Sequence, residues 1–429
     1  MKSFISKPIA YIRGEISPPG DKSISHRAVM LASIASGVSE FTNFLEADDC
    51  LRTIDAFKKM GVSVSKKNKK WIVRGVGLEG LRQPEKELYL GNSGTTMRLL
   101  LGILSHQPFR VKLTGDASLS RRAMRRVAVP LRKMGAKISG REDANFAPLY
   151  VEGGKLKAIN YVNNPASAQV KSAILLAGLR AKGTTTVQEL TCSRDHTERM
   201  LEMMGAEITR RVHETRVKTT NHLRPIRYHI PGDISSASFM MAASAILPGS
   251  DLVVQNVGLN PTRIGVLEIL RAMGAKVEWK MKLARTLEPI GTIRVQGSEL
   301  RAVTIDQEMV PKLIDELPIL MVVCALAKGK SVIKDARELR IKETDRIQSM
   351  VRGLNAIGGI AEELEDGCLI RGVKCFRGGR ISSFGDHRTA MSFAVAGLRS
   401  RDPIQVDDIE CIDTSYPRFF DHLKKLACK

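Results

Sequence analysis

Two patterns of apolar and polar positions alternate along the chain. The first is an amphipathic helix that stops at a Met-Gly turn and hands over to an alternating strand. It ends near Gly61 in FKKMGVSV, Gly135 in LRKMGAKI, Gly205 in LEMMGAEI, Gly274 in LRAMGAKV and, degenerately, Gly358 in LNAIGGIAE. A glycine in the left-handed region ends such a helix, and the period-2 pattern after it predicts a strand. The second pattern is an Ala-rich segment whose apolar residues run round most of the helix, which predicts burial. It occurs in MLASIASGVSEF, LLLGILSHQPFRVKL, ILLAGLRAKGTTTV, FMMAASAILPGSDLVV, ILMVVCALAKGKSVI and MSFAVAGLRSRDPIQV. The two patterns interleave at intervals of about 70 to 84 residues, the mark of a repeat architecture. Six such units account for nearly the whole chain, and each reads as βαβαββ with one buried and one amphipathic helix.

The segments that lead into the buried helices are polar: GDKSISHR (20–27), GNSGTTMR (91–98), NPASAQVK (164–171), GDISSAS (232–238), LIDELP (313–318) and GDHRTAM (385–391). Each closes on a helix N-terminus, with Ser, Thr, Asp or Asn as candidate caps and Pro318 at a first-turn position. The first groups glycine, lysine and serine as a phosphate loop does, but Asp21 separates Gly20 from Lys22, so it is not G-x-x-x-x-G-K-[ST]. If the units are equivalent, their helix N-termini come from equivalent places, and three from one half can face three from the other. The unpaired N–H groups and dipoles there favour an anion.

Composition sharpens this reading. A chain of 429 residues is expected to form two or three domains, and 43 % hydrophobic with 26 % charged residues is ordinary for a globular protein. The net charge of +22 is not ordinary. The runs KKNKK (66–70) and RRAMRR (121–126) could bind nucleic acid, yet no stretch interleaves aromatics with basic residues and the charge is spread along the chain. An anionic small molecule in a basic cleft fits better. The seven cysteines are scattered without a C-x-x-C pair, and there is no HExxH, so neither disulfides nor a metal is expected. No apolar run has the length of a membrane span, and MKSFISKPIAYIRG lacks the core of a signal peptide, which leads to the expectation of a cytoplasmic protein without a membrane partner.

GDKSISHR, LGNSGTTMR, ASAQVKSA, IDELP, KETDR and GDHR, in that order, closely resemble the 5-enolpyruvylshikimate-3-phosphate synthase family. The resemblance implies a two-domain inside-out α/β barrel built from six βαβαββ repeats, three per domain, with the active site in the interdomain cleft. Residues 1–17 and 236–429 would form the first domain and 18–235 the second, with PRFFDHLKKLACK closing the first domain's last unit. It also implies a monomer that needs no cofactor and transfers the enolpyruvyl group of phosphoenolpyruvate to the 5-hydroxyl of shikimate-3-phosphate, in a family inhibited by glyphosate. UDP-N-acetylglucosamine enolpyruvyl transferase shares this fold. It carries a cysteine five residues before a phosphoenolpyruvate-binding arginine, where this chain has Ala117 before Arg122.

Carried onto matching positions, the resemblance assigns shikimate-3-phosphate to Lys22, Ser23, Arg27, Ser167, Gln169, Arg194, Asp315 and Lys342. Phosphoenolpyruvate falls to Lys22, Gly94, Arg122, Gln169, Arg346 and Arg388, three guanidinium forks suiting a carboxylate and a phosphate. The catalytic candidates are Glu343 as acid, Asp315 as base toward the 5-hydroxyl, and Lys22. Glu343 and Arg346 are three residues apart and are expected to share one helix face. His387 is a possible proton shuttle or only a hydrogen-bonding neighbour. Two positions depart from the commoner family pattern: Ala168 stands where other members have a second serine, and Thr414 where many have lysine.

Overall fold

The computed structural model describes residues 2–282 and 288–428. The chain forms two compact units: one comprises the residues up to Pro19 with those from Pro231 on, the other runs from Gly20 to Ile230. The crossings were expected after residues 17 and 235. The two crossing strands are in fact bonded to each other inside the first unit, Asp233 N–H donating to the Pro19 carbonyl at 2.8 Å.

The second unit, Gly20 to Ile230, holds three four-stranded sheets. In one, Asn160–Val162 lies parallel to Thr184–Gln188, which pairs antiparallel with Glu214–Lys218 and that with Ile208–Arg211. Leu88–Tyr89, Arg110–Thr114, Phe146–Glu152 and Lys137–Gly140 repeat the pattern, as do Arg227–His229, Ser36–Thr42, Lys70–Val76 and Ser63–Lys67. A parallel pair needs a crossover, and the Ala-rich helices Gly94–Leu104 and Ala168–Gly178 supply it in two of these sheets. These two and Lys22–Ser33, which precedes the strand Ser36–Thr42, are buried along nearly their whole length. Two of them touch through backbone, since a Cβ on Gly102 would sit 2.3 Å from the Ala173 carbonyl oxygen. The Met-Gly turns behave as the pattern requires; Gly61, Gly135 and Gly205 all have positive φ. KKNKK forms the turn of a hairpin between Ser63–Lys67 and Lys70–Val76, with Lys66 on Glu46 and Lys70 on Glu40.

The first unit also holds three sheets, built from more distant pieces of chain. Lys276–Lys282, Ile290–Gln296 and Asp251–Gly258 continue through Tyr11–Ile16 to Ala427–Cys428. Thr304–Ile305, Lys330–Ile333, Gly367–Arg371 and Ile360–Leu364 form the second sheet. The third has only Gly379–Ser382, Ile404–Asp407 and Ser3–Ser6. The segment 417–428 therefore ends in the sheet of Tyr11–Ile16, not in the last unit as expected. Its helix Phe419–Leu426 buries Phe419 against Phe239 and Tyr416. The buried helices Ile234–Ile246, Leu317–Ala325 and His387–Ala396 fill the core of this unit.

Candidate active site

Side chains cap four of the six buried helices: Asp21 accepts from Ile24 N–H, Ser93 from Thr96 N–H, Asp233 from Ser235 N–H, and Asp386 from both Arg388 and Thr389 N–H. The remaining two caps, Ser167 and Glu316, make no such bond. At Ser167 the hydroxyl is thereby not committed to its own helix, and the first-turn N–H groups stay available to an anion.

Within the second unit, Lys22 opens its helix and pairs with Asp49, which lies on the helix Asp48–Lys59. Arg27, one turn on, is buried and donates to the Thr197 hydroxyl at 2.7 Å, the Ser172 hydroxyl at 2.9 Å and the Ser23 carbonyl at 3.0 Å. These bonds bring the GDKSISHR loop to the helices Ala168–Gly178 and His196–Met203. Arg122 leaves the RRAMRR run to donate to Asn92 through both its carbonyl and its side chain. Arg125 of the same run faces Asp143 instead, so the run is split between two surroundings.

Gly94 lies against this cluster. A Cβ there would be 2.9 Å from Arg98 Nη1 and 3.3 Å from Arg122 Nη1, so the bare backbone is what lets both guanidinium groups approach the helix mouth. Arg98 also donates to Gln169 Oε1 at 2.7 Å, and Gln169 in turn donates to Thr95 Oγ1 at 3.0 Å. Behind them runs a buried chain, His26 Nδ1 to Thr53 Oγ1 at 2.7 Å, Thr53 to Thr96 at 2.7 Å, and Thr96 to Ser93 at 2.6 Å. Burial, with Lys22 and Arg27 close by, holds the His26 pKa well below its ordinary value.

In the first unit everything converges on Arg346, one of the largest fully buried side chains. Its Nε donates to Asp386 at 2.8 Å and its Nη2 to Glu343 at 2.7 Å, while Nη1 lies 3.6 Å from Asp315. Burial alone would lower the pKa of this guanidinium, but Asp386, Glu343 and Asp315 outweigh it and raise it. Arg388 donates to the Asp315 carbonyl at 2.9 Å, and Lys342 to Glu338 at 3.0 Å. Glu343 and Arg346 do not share a helix face as expected: Asp345 caps the helix by accepting from Gln348 N–H, so the helix begins at Arg346 and Glu343 reaches it from the preceding turn. His387 Nδ1 lies 3.5 Å from the Thr414 hydroxyl, which itself donates to the Cys411 carbonyl.

In the first unit Arg346 gathers Glu343 and Asp315, and Arg388 joins through Asp315, while Lys342 pairs with Glu338. In the second, Gly94, Arg122 and Gln169 gather about Arg98, Arg27 reaches Ser23, Lys22 pairs with Asp49, and Ser167 and Arg194 stand at loop positions. The structure adds Asp49, Arg98 and Asp386, which the motifs did not single out. Arg98 carried a signal, because it is the one charge in the otherwise apolar helix Gly94–Leu104. Burial makes poor thiolates of three cysteines, pushing Cys324 up to about 11, and Cys368 and Cys411 up to about 12. Among the described residues, no helix is long and apolar enough to cross a membrane.

Residues 6–423 match the family described as EPSP synthase (3-phosphoshikimate 1-carboxyvinyltransferase). A 3-phosphoshikimate 1-carboxyvinyltransferase of Desulforamulus reducens is 49 % identical, covering 98 % of this chain and 99 % of its own length. The enzyme of the same name from Bacillus subtilis is 47 % identical over 97 % of this chain and 98 % of its own. A solved EPSP synthase structure from Acinetobacter baumannii superposes with a TM-score of 0.88 at 44 % identity, covering 100 % of this chain and 98 % of that one.

Proposed function

The chain belongs to the EPSP synthase family, and on that premise we propose how its residues divide the reaction. The protein is a transferase that moves the enolpyruvyl group of phosphoenolpyruvate to the 5-hydroxyl of shikimate-3-phosphate, releasing phosphate in the shikimate pathway. Its α/β fold is that of the solved EPSP synthases. At finer grain we read it as a monomeric, cytoplasmic inside-out barrel of six βαβαββ repeats. The pairing pattern that recurs in the sheets supports the repeat architecture.

Shikimate-3-phosphate engages Lys22, Ser23, Arg27, Ser167, Gln169 and Arg194 from the second unit, and Asp315 and Lys342 from the first. Phosphoenolpyruvate engages Lys22, Gly94, Arg122 and Gln169 from the second, and Arg346 and Arg388 from the first. Keeping water from the bound substrates prevents hydrolysis of phosphoenolpyruvate. Glu343 delivers a proton to the methylene carbon. The 5-hydroxyl adds to carbon 2 as its proton passes to Asp315, giving a tetrahedral ketal. The Glu343 carboxylate then takes back a methyl proton as the carbon–oxygen bond to phosphate breaks, which restores the double bond, and the departing phosphate takes the proton from Asp315.

The observation that carries this assignment is that Arg346 donates to Glu343 at 2.7 Å and lies 3.6 Å from Asp315, so both candidate carboxylates stand beside a single cation. Phosphate release from the two substrates tests the activity itself. Glu343→Gln tests the assignment: turnover should fall by about a hundredfold or more while the affinity for shikimate-3-phosphate stays near that of the parent. Turnover within a few-fold of the parent removes Glu343 from the chemistry.

A further inference from the structure

The most expensive unassigned feature of the second unit is a buried charge cluster: Lys171, Glu189 and Glu198 have side chains only 4 %, 6 % and 1 % exposed. Lys171 Nζ bonds Glu189 at 2.7 Å and Glu198 at 2.8 Å. Burial alone would lower the Lys171 pKa, but the two carboxylates outweigh it and hold the group charged. Two carboxylates and one ammonium placed in an apolar interior cost more than a well-packed hydrophobic cluster, so their retention asks for a role in fixing a geometry.

Glu189 shows what geometry is fixed. It follows the strand Thr184–Gln188, and its N–H donates to the His213 carbonyl, so the residue is anchored on the sheet. Its carboxylate accepts from Asn163 Nδ2 at 2.6 Å, Lys171 Nζ at 2.7 Å, Ser193 Oγ at 2.6 Å and Ser193 N–H at 3.2 Å. Asn163 Nδ2 also donates to the Ser167 carbonyl at 3.0 Å. One carboxylate therefore ties together two segments without regular structure, 163–167 and 191–195, whose last and fourth residues are Ser167 and Arg194. Through Lys171 the same network reaches Glu198, whose neighbour Thr197 accepts from Arg27.

We infer that Glu189 is a positioning residue for the shikimate-3-phosphate half-site, setting the distance between the Ser167 and Arg194 loops so that both meet one phosphate. The inference rests on the assignment of Ser167 and Arg194 given above. Its leverage is geometric: loops that carry ligand groups are precise only when a rigid neighbour holds them. Glutamine at this position keeps the shape but presents an amide to donors that need a carboxylate, so at least one of the bonds to Asn163, Lys171 and Ser193 must break.

The test is steady-state kinetics of Glu189→Gln in the full chain with both substrates varied, with Ser167→Ala and Arg194→Ala measured alongside. The expected result is a rise of about tenfold in KM for shikimate-3-phosphate, with KM for phosphoenolpyruvate within twofold of the parent. A folded variant in which the shikimate-3-phosphate KM stays within twofold, or in which both KM values rise together, overturns the inference. Should Glu189→Gln not fold, Asn163→Ala and Ser193→Ala each remove a single strut and should each raise the same KM about threefold; no rise in either overturns it equally. If Ser167→Ala and Arg194→Ala themselves leave that KM unchanged, the assignment of the half-site falls and the positioning role with it. If those two raise it and the Glu189, Asn163 and Ser193 variants do not, only the positioning role falls.

Discussion

The two half-sites hold their arginines in opposite ways. In the second unit Arg27, Arg98 and Arg122 donate to hydroxyls, a side-chain amide and main-chain carbonyls. In the first, Arg346 is wrapped by Asp386, Glu343 and Asp315. A bond to a neutral oxygen fixes where a guanidinium points without itself offsetting the charge. A guanidinium among carboxylates is held by charge-assisted bonds as well as by direction. The contrast separates a unit whose arginines are oriented through neutral groups from one whose buried arginine is oriented through carboxylates.

The largest effect should come from removing the hub of the acidic side. Arg346→Met would remove the buried cation shared by Asp386, Glu343 and Asp315, and breaking a buried ionic cluster costs about 3–5 kcal/mol. A lowered urea midpoint together with loss of turnover is the expected outcome; a variant as stable as its parent would dissolve the contrast between the halves.

Next in size is Gly94→Ala, which probes the binding side. The added methyl forces Arg98 or Arg122 away from the helix mouth, an overpacking worth about 1–3 kcal/mol. The parent should be sensitive to glyphosate, and the variant's inhibition constant should rise by more than its KM for phosphoenolpyruvate. Equal weakening of the two ligands, or a parent already tolerant, would show that the loop does not discriminate between them.

A smaller effect separates the halves by pH. His26 is held neutral by burial, so its folded pKa lies below the ordinary 6.5. The unfolded chain therefore binds the extra proton first. The stability that neutral His26 contributes is complete above about pH 6.5 and is lost, at up to about 1.4 kcal/mol per pH unit, as pH falls toward the folded value. Comparing parent and His26→Gln in chemical unfolding at pH 7 and pH 5 isolates this slope; identical slopes would mean that burial does not hold His26 neutral. The smallest effect, none, is expected from thiol chemistry. With their thiols shifted up to about 11 and 12, Cys324, Cys368 and Cys411 are protonated at neutral pH, and a folded chain with all seven cysteines replaced by alanine or serine should keep its turnover.

The two units were not equally legible. Gly20 to Arg27 and Gly91 to Arg98 announce helix mouths because Asp21 and Ser93 are short polar caps next to small residues, and capping is a local rule. The Met-Gly turns are local too, which is why the order of helices and strands could be read from period alone. Asp386 could not be read beyond its cap, because its bonds to Arg346 join residues forty positions apart. Asp49 and Glu189 escaped for the same reason: each looks like an ordinary acidic residue until the fold brings a lysine to it. The helical pairing expected of Glu343 and Arg346 failed because spacing alone does not show where a helix starts, and Asp345 starts it late.

Strands Ser3–Ser6 and Tyr11–Ile16 pair with Ile404–Asp407 and Ala427–Cys428, whereas Gly20 to Ile230 forms its sheets from one uninterrupted stretch. During vectorial synthesis a ribosome that has passed residue 230 has already released every strand the second unit needs, and that unit can collapse while the first is still a pair of strands without partners. Tyr11–Ile16 gains its first partner with Asp251–Gly258, whereas Ser3–Ser6 waits for Ile404–Asp407, some four hundred positions on. An unpaired strand edge is an aggregation hazard, and in this chain it belongs to the first unit, over the interval between the synthesis of Ser3–Ser6 and that of Ile404–Asp407.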